Sequence, residues 1–271
     1  MTERLPVTYL FVPANRPDRF EKALATGADR IILDLEDAVP LDGKDIARAA
    51  LVAAQLDWSR IVVRVNPSST GFFYDDLRAV AATQAAGVMI AKAETAADIN
   101  IVAQAIGRPI DITPLVETAA GLDAVDEMLC AAGVSRVAFG HLDMAVDLGC
   151  STDWDSLVLA RQTLVLRSRR HGKAAPIEGV TPHIDDEQVF ADTLLAKKFG
   201  FGAKLLIHPK QIAPTLRAFA PSDQEVTWAH KVLAALAASN GAAVAVDGKM
   251  VDKPVEDAAR RILTHVRDQT L

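Results

Sequence analysis

The sequence predicts an α/β protein built as one (β/α)8 TIM barrel with a C-terminal helical arm, and three observations carry that prediction. Eight short apolar or β-branched runs recur: TYLFVP, RIILDL, IVVRVN, GVMIAK, DITPLV, RVAFG, APIEGV and AKLLIH. Between them lie stretches with helical spacing, among them FEKALATGA at 20–28, KDIARAALVAAQL at 44–56, ADINIVAQAIG at 97–107 and DEQVFADTLLAKKFG at 186–200. This alternation is the pattern of βα units around a parallel sheet. Third, no GxGxxG follows an early run, whereas an open dinucleotide-binding sheet has fewer strands and carries that fingerprint. The nearest match, Gly200-Phe201-Gly202, precedes a run and reads as a helix end with its turn.

Chemistry in such a barrel gathers where strands end, so the polar residues that close each run matter most. The first run leads into Asn15, either a helix cap or a site residue. The second closes on Asp34, Glu36 and Asp37 in DLEDAV, and the third on Arg64 and Asn66 in VVRVNP. Lys92 and Glu94 follow the fourth, as a mutual ion pair or as catalytic groups. The fifth ends at Glu117 in PLVETAAG, and the sixth runs into FGHLDMAVDLG with Asp143 and with Asp147, a second candidate cap. His208 after the eighth, ahead of Pro209, reads as a bond to loop backbone. These units make a barrel domain over residues 1–220. Pro221 opens an arm over 221–271, made of DQEVTWAHKVLAALAASN, GAAVAVDGKMVDKP and VEDAARRILTHVRDQTL. A barrel does not need it; such a tail packs as an arm or covers a neighbouring subunit's mouth.

Composition excludes several classes. A formal charge of −6 over 271 residues, with no Lys/Arg run, argues against nucleic acid or anionic lipid as a partner. No stretch reaches the roughly 20 apolar residues of a membrane helix, and the N-terminus lacks a signal-peptide pattern, so a cytoplasmic protein is expected. Cys130 and Cys150 have neither zinc spacing nor the numbers of a disulfide framework and read as buried or incidental thiols.

Carboxylates converging at one rim repel each other, so several acids there imply a compensating cation. Without a His or Cys cluster the oxygen-rich set points to a hard ion, Mg2+ with Mn2+ as a substitute, and Glu117 and Asp143 are the candidate ligands. Arg64, with its planar fork, is the candidate clamp for an acidic substrate; its alternative is an ion pair with a nearby acid.

Across nearly the whole chain, YLFVPANRPDRFEKAL, DLEDAVPLDGKDIAR, VVRVNP, PLVETAAGL, RVAFGHLDMAVDLG, GFGAKLLIHPKQI and VDGKMVDKP together resemble the HpcH/HpaI aldolase and citrate lyase β-subunit family. The wording is more similar to single-chain citramalyl-CoA and malyl-CoA lyases than to the subunit of a three-part complex. AKAE, HLDMAV and IEGVTPHIDD depart from the common citrate lyase wording. The resemblance implies a divalent ion on Glu117 and Asp143, and an oxoacid held by Arg64 with the Glu117 region. It implies Arg16 near the anionic substrate, and Glu36 and Asp37 ordering metal-bound water. Asp252, in GKMVDKP, corresponds to an acid supplied by the neighbouring subunit's arm, which implies a homo-oligomer, a trimer or hexamer. The expected activity is Mg2+-dependent carbon–carbon cleavage of a 3-hydroxyacyl-CoA thioester to acetyl-CoA and a 2-oxoacid. The alternatives are a CoA-independent 2-oxoacid aldolase and a citrate lyase β subunit that depends on partner subunits.

Overall fold

A computed structural model describes residues 5–238, 244–246 and 248–269. The chain divides into two compact units, Pro6–Leu216 and one that includes Arg217–Leu271. In the larger, eight parallel strands close in sequence order into a barrel. The elements run β1 (Thr8–Pro13), α1 (Phe20–Leu24), β2 (Arg30–Asp34), α2 (Lys44–Ala53), β3 (Ile61–Val65), α3 (Phe73–Ala81), β4 (Gly87–Ile90) and α4 (Ala96–Ile106). After β5 (Asp111–Val116) come two short helices, α5 (Ala119–Asp123) and α6 (Val125–Cys130), then β6 (Ala138–Phe139), α7 (His141–Leu148) and α8 (Val158–Arg170). The barrel closes with β7 (Ile177–Glu178), α9 (Asp186–Phe199), β8 (Ala203–Leu206) and the start of α10 (Ile212–Phe219). Each of the eight predicted runs contains a strand.

Alternation along the strands sorts the core into two layers. One set, including Ile32, Val62, Met89, Leu115, Ala138 and Ile177, forms its own cluster inside the barrel. The other, including Ile31, Leu33, Val63, Val88, Val116 and Phe139, packs with the helix residues Phe20, Leu51, Leu77, Val102 and Leu164. Helix starts follow local chemistry. Thr95, Thr118 and Asp185 are extended residues whose side chains accept the backbone N–H of Asp98, Gly121 and Gln188, satisfying donors that a first turn leaves open.

In the smaller unit α11 (Asp223–Ala238) packs against α12 (Lys253–Gln269), with a hairpin of β9 (Val244–Val246) and β10 (Lys249–Val251) between them in sequence. Ala229, Val232, Leu236, Val251 and Ala259 are its buried core. Among the described residues no helix is long and apolar enough to cross a membrane. Cys130 and Cys150 are free thiols and, contrary to the buried reading, both are exposed.

Candidate active site

The side-chain alternation that fills the barrel also builds its mouth. Asp34, Arg64 and Glu117 each stand two residues beyond an interior-layer residue, Ile32, Val62 and Leu115 respectively, so they continue the inward face past the apolar plug. Asp34 and Arg64 are also register partners on adjacent strands. All three are buried.

Arg64 is held by the protein's own acids. Its Nε and Nη2 donate to the two oxygens of Asp34 at 2.7 and 2.6 Å, and Nη1 lies 3.0 Å from Oε2 of Glu36. The guanidinium stacks over the Phe11 ring, 4.7 Å from its centroid. Burial opposes the charge, but Asp34 and Glu36 outweigh it and hold the Arg64 pKa above its ordinary value. The ion-pair alternative for Arg64 is therefore present. Two guanidinium N–H groups are used on Asp34 and Nη1 is paired by charge with Glu36, so both terminal nitrogens keep N–H groups for a substrate carboxylate. Asp34 is fixed in turn by accepting the amides of Glu36 and Ala38. Glu36 accepts the Asp37 amide at 2.9 Å. Burial raises the Glu36 pKa, against the pull of Arg64. Asp37 is exposed, so the two predicted acids differ in kind: Glu36 is locked to Arg64 and Asp37 faces solvent. Beneath them, the Lys44 ammonium donates to the carbonyls of Leu35 and Glu36 and to Asn66 Oδ1, tying the β2 and β3 ends together.

On the other side of the mouth Lys92 joins the two candidate metal ligands. Its amide donates to Glu117 Oε1 at 2.7 Å and its ammonium to Asp143 Oδ1 at 2.8 Å. Both contacts come from one backbone geometry: Lys92 has φ of +44°, the only non-glycine residue with positive φ among those described. Such a conformation is strained for a residue with a Cβ. No residue pattern signals it, and of the two readings of Lys92 and Glu94 the mutual ion pair is not formed; Glu94 instead accepts the Thr118 hydroxyl at 2.8 Å. Gly140 is a second unforeseen participant. A Cβ there would lie 2.6 Å from the Glu117 Cβ and closer still to its Oε2, so only glycine lets the β6 end approach this carboxylate. Burial pushes the Glu117 pKa up to about 8, against the charge and amide of Lys92, and the nearby Asp143 charge raises it further.

The remaining predicted positions are dispersed. Arg16 bonds its neighbour Asp18 at 2.9 Å, with both side chains about half exposed. Asn15 caps no helix, and its Oδ1 is buried without a partner. Asp147 accepts the Ala119 amide at 2.7 Å, capping the start of α5 rather than its own helix. His208 bonds loop backbone as expected, its Nδ1 accepting the Lys210 amide. Asp252, in the smaller unit, is exposed.

Among the described residues no three His, Cys, Asp or Glu side chains cluster around one point. The donor set still fits a hard divalent ion, because Mg2+ commonly takes one or two carboxylates and fills its octahedron with water and substrate. A buried Glu117 resisting ionisation beside Asp143, with a lysine ammonium drawn to the pair, is the electrostatic signature of a place that favours positive charge. A further cavity of about 510 Å3 opens beside β1 and β8, lined by Phe11, Val12, Ile207 and Pro209 and edged by Arg19, Lys22 and His208.

A family model described as HpcH/HpaI aldolase/citrate lyase matches residues 8–209. The chain is 36% identical over 269 residues to a citrate lyase subunit beta-like protein of Mycobacterium tuberculosis, covering 97% of this chain and 96% of that protein. It is 33% identical over 285 residues to L-malyl-CoA/beta-methylmalyl-CoA lyase of Cereibacter sphaeroides, covering 90% and 89% of the two chains. Among solved structures, protein CitE from M. tuberculosis in complex with magnesium, acetoacetate and coenzyme A superposes with a TM-score of 0.88 at 36% identity, covering 97% of this chain and 98% of that one.

Proposed function

The chain belongs to the HpcH/HpaI aldolase/citrate lyase family, and on that premise we propose that it is a Mg2+-dependent lyase that cleaves a carbon–carbon bond in a 3-hydroxyacyl-CoA thioester. The observation that carries the reading is the convergence of Glu117 and Asp143 on Lys92 at one strand-end rim. The relatives named for malyl-CoA cleavage, and the CitE complex with magnesium and coenzyme A, support it. Citramalyl-CoA, malyl-CoA and citryl-CoA are the proposed substrates, with acetyl-CoA and a 2-oxoacid as products.

Glu117 and Asp143 would hold the ion. When bound, Mg2+ supplies Lewis-acid stabilisation of the negative charge that develops on the oxoacid oxygens. The remaining work belongs to the chain's own groups. Arg64, pinned by Asp34 and Glu36 so that it cannot swing, offers the N–H groups left on its terminal nitrogens to the substrate carboxylate. As the bond between the carbinol carbon and the thioester α-carbon breaks, the hydroxyl proton passes to solvent, the oxygen's electron pair closes the 2-oxo group, the pair of the broken bond passes to the α-carbon, and that carbon takes up a proton to become acetyl. We assign that last proton to Asp252, delivered from a neighbouring subunit's arm in a homo-oligomer. The apolar cavity edged by Arg19 and Lys22 suits a long acyl carrier bearing phosphates.

The test incubates the purified chain with each of the three thioesters, with and without EDTA, and follows acetyl-CoA release. Release that EDTA abolishes is the expected result. A chain inert on all three but active on a free 2-oxoacid and an aldehyde is a CoA-independent aldolase. Activity only after adding acyl-carrier and transferase subunits makes it a dependent subunit.

A further inference from the structure

We infer that Cys130, together with His171 and Asp126, forms a reactive-thiol site that undergoes exchange with low-molecular-weight disulfides. Cys130 Sγ lies 3.5 Å from His171 Nδ1, and His171 Nε2 lies 2.6 Å from Asp126 Oδ1. The arrangement follows from spacing. Asp126 and Cys130 are four residues apart on α6, one above the other on its outer face, while Met128 and Leu129 are buried in the core. His171, at the C-terminal end of α8, spans the two with its opposite ring nitrogens.

The carboxylate decides what the imidazole can do. A nitrogen this close to Asp126 carries a proton, so in the neutral ring that proton sits on Nε2 and Nδ1 presents its lone pair to the thiol. This is the orienting logic of a nucleophile, a base and an acid that holds the base. Arg167 lies 2.9 Å from the other Asp126 oxygen, so the carboxylate that orients His171 is itself held in place. Cys150 is also exposed and free, but no imidazole is bonded to it among the described contacts, which makes it an internal control.

In the exchange step the Cys130 proton passes to His171 Nδ1 and the sulfur attacks one atom of the disulfide R–S–S–R. The S–S bond breaks and the departing thiolate takes the proton from the imidazolium. The products are a Cys130 mixed disulfide and one thiol RSH, with no outside oxidant or reductant. Helices of this barrel run opposite to the strands, so the C-terminal ends of α6 and α8 lie at the rim away from Glu117 and Asp143. The mixed disulfide therefore leaves basal turnover unchanged while displacing His171 from the α6–α8 contact.

The experiment treats the full, prereduced chain separately with iodoacetamide and with oxidised glutathione, and follows modification of each cysteine by peptide mass spectrometry. Cys130 should react at least about tenfold faster than Cys150 with both probes. His171→Gln should bring Cys130 close to the Cys150 rate while leaving Cys150 itself unchanged, and Asp126→Asn should fall between. Circular dichroism verifies the fold of each variant, and the ratio within the unmutated chain stands whether or not a variant folds. Equal rates for the two cysteines, or a Cys130 rate unaffected by His171→Gln, would overturn the inference.

Discussion

Gly140→Ala tests whether the position of Glu117 governs the chemistry. The backbone at Gly140 has φ −98° and ψ +75°, which alanine tolerates, so the effect is steric. The new Cβ would sit 2.6 Å from the Glu117 Cβ, about 0.8 Å inside the ordinary contact limit of 3.4 Å. Two responses are open. The β6 end yields, at about 1–3 kcal/mol for overpacking, and the melting temperature falls by about 3–10 °C. Alternatively Glu117 moves by most of an ångström, and a displacement of that size at a reacting centre lowers kcat/KM by about 100-fold. Measuring both thioester turnover and thermal unfolding separates the two. Gly71→Ala, an exposed glycine with nothing within 4 Å of the added Cβ, is the control and should leave both unchanged. A Gly140→Ala protein that matches the parent in turnover and melting would refute the packing argument and with it the view that Glu117 is held by the β6 end.

Asp34→Ala leaves the buried Arg64 without its bidentate partner and should destabilise the fold by about 3–5 kcal/mol in urea unfolding; a loss under about 1 kcal/mol would refute a structural role for the pair. Glu117, pushed up to about 8, holds a proton in the folded chain that an unfolded glutamate releases near 4.3. Stability in EDTA should therefore fall as pH rises between about 4.3 and about 8, by at most about 5 kcal/mol. Glu117→Gln removes this slope, and parallel stability curves for the two proteins would contradict the burial of a protonated Glu117. Asp252→Ala should lower turnover by about 100-fold or more with Mg2+ affinity unchanged by calorimetry; near-normal turnover removes Asp252 from the reaction.

The barrel was legible because its strands are short, β-branched and separated by helical spacing, and because inward positions recur every second residue. Even the two-residue strands β6 and β7 lie inside runs that the sequence marks. Charge at the strand ends was legible for the same reason. Which charges pair was not. Arg64 meets Asp34 because β2 and β3 settle in one register, a relation between residues 30 apart that spacing within either run does not encode. Lys92 reaches Asp143 across 51 residues and through a backbone conformation that no residue type announces. The cysteines misled in another way: Cys130 ends an amphipathic turn whose apolar face is already filled by Met128 and Leu129, leaving the thiol outside.

The turn at Lys92 separates two tasks that one side chain ordinarily combines. Glu117 is gripped by an amide, which every residue type except proline possesses, whereas Asp143 is gripped by a replaceable ammonium. Substitution at 92 can thus retune the charge of the rim without releasing its buried acid. Glycine or asparagine, at ease in this backbone region, would be the gentlest exchanges.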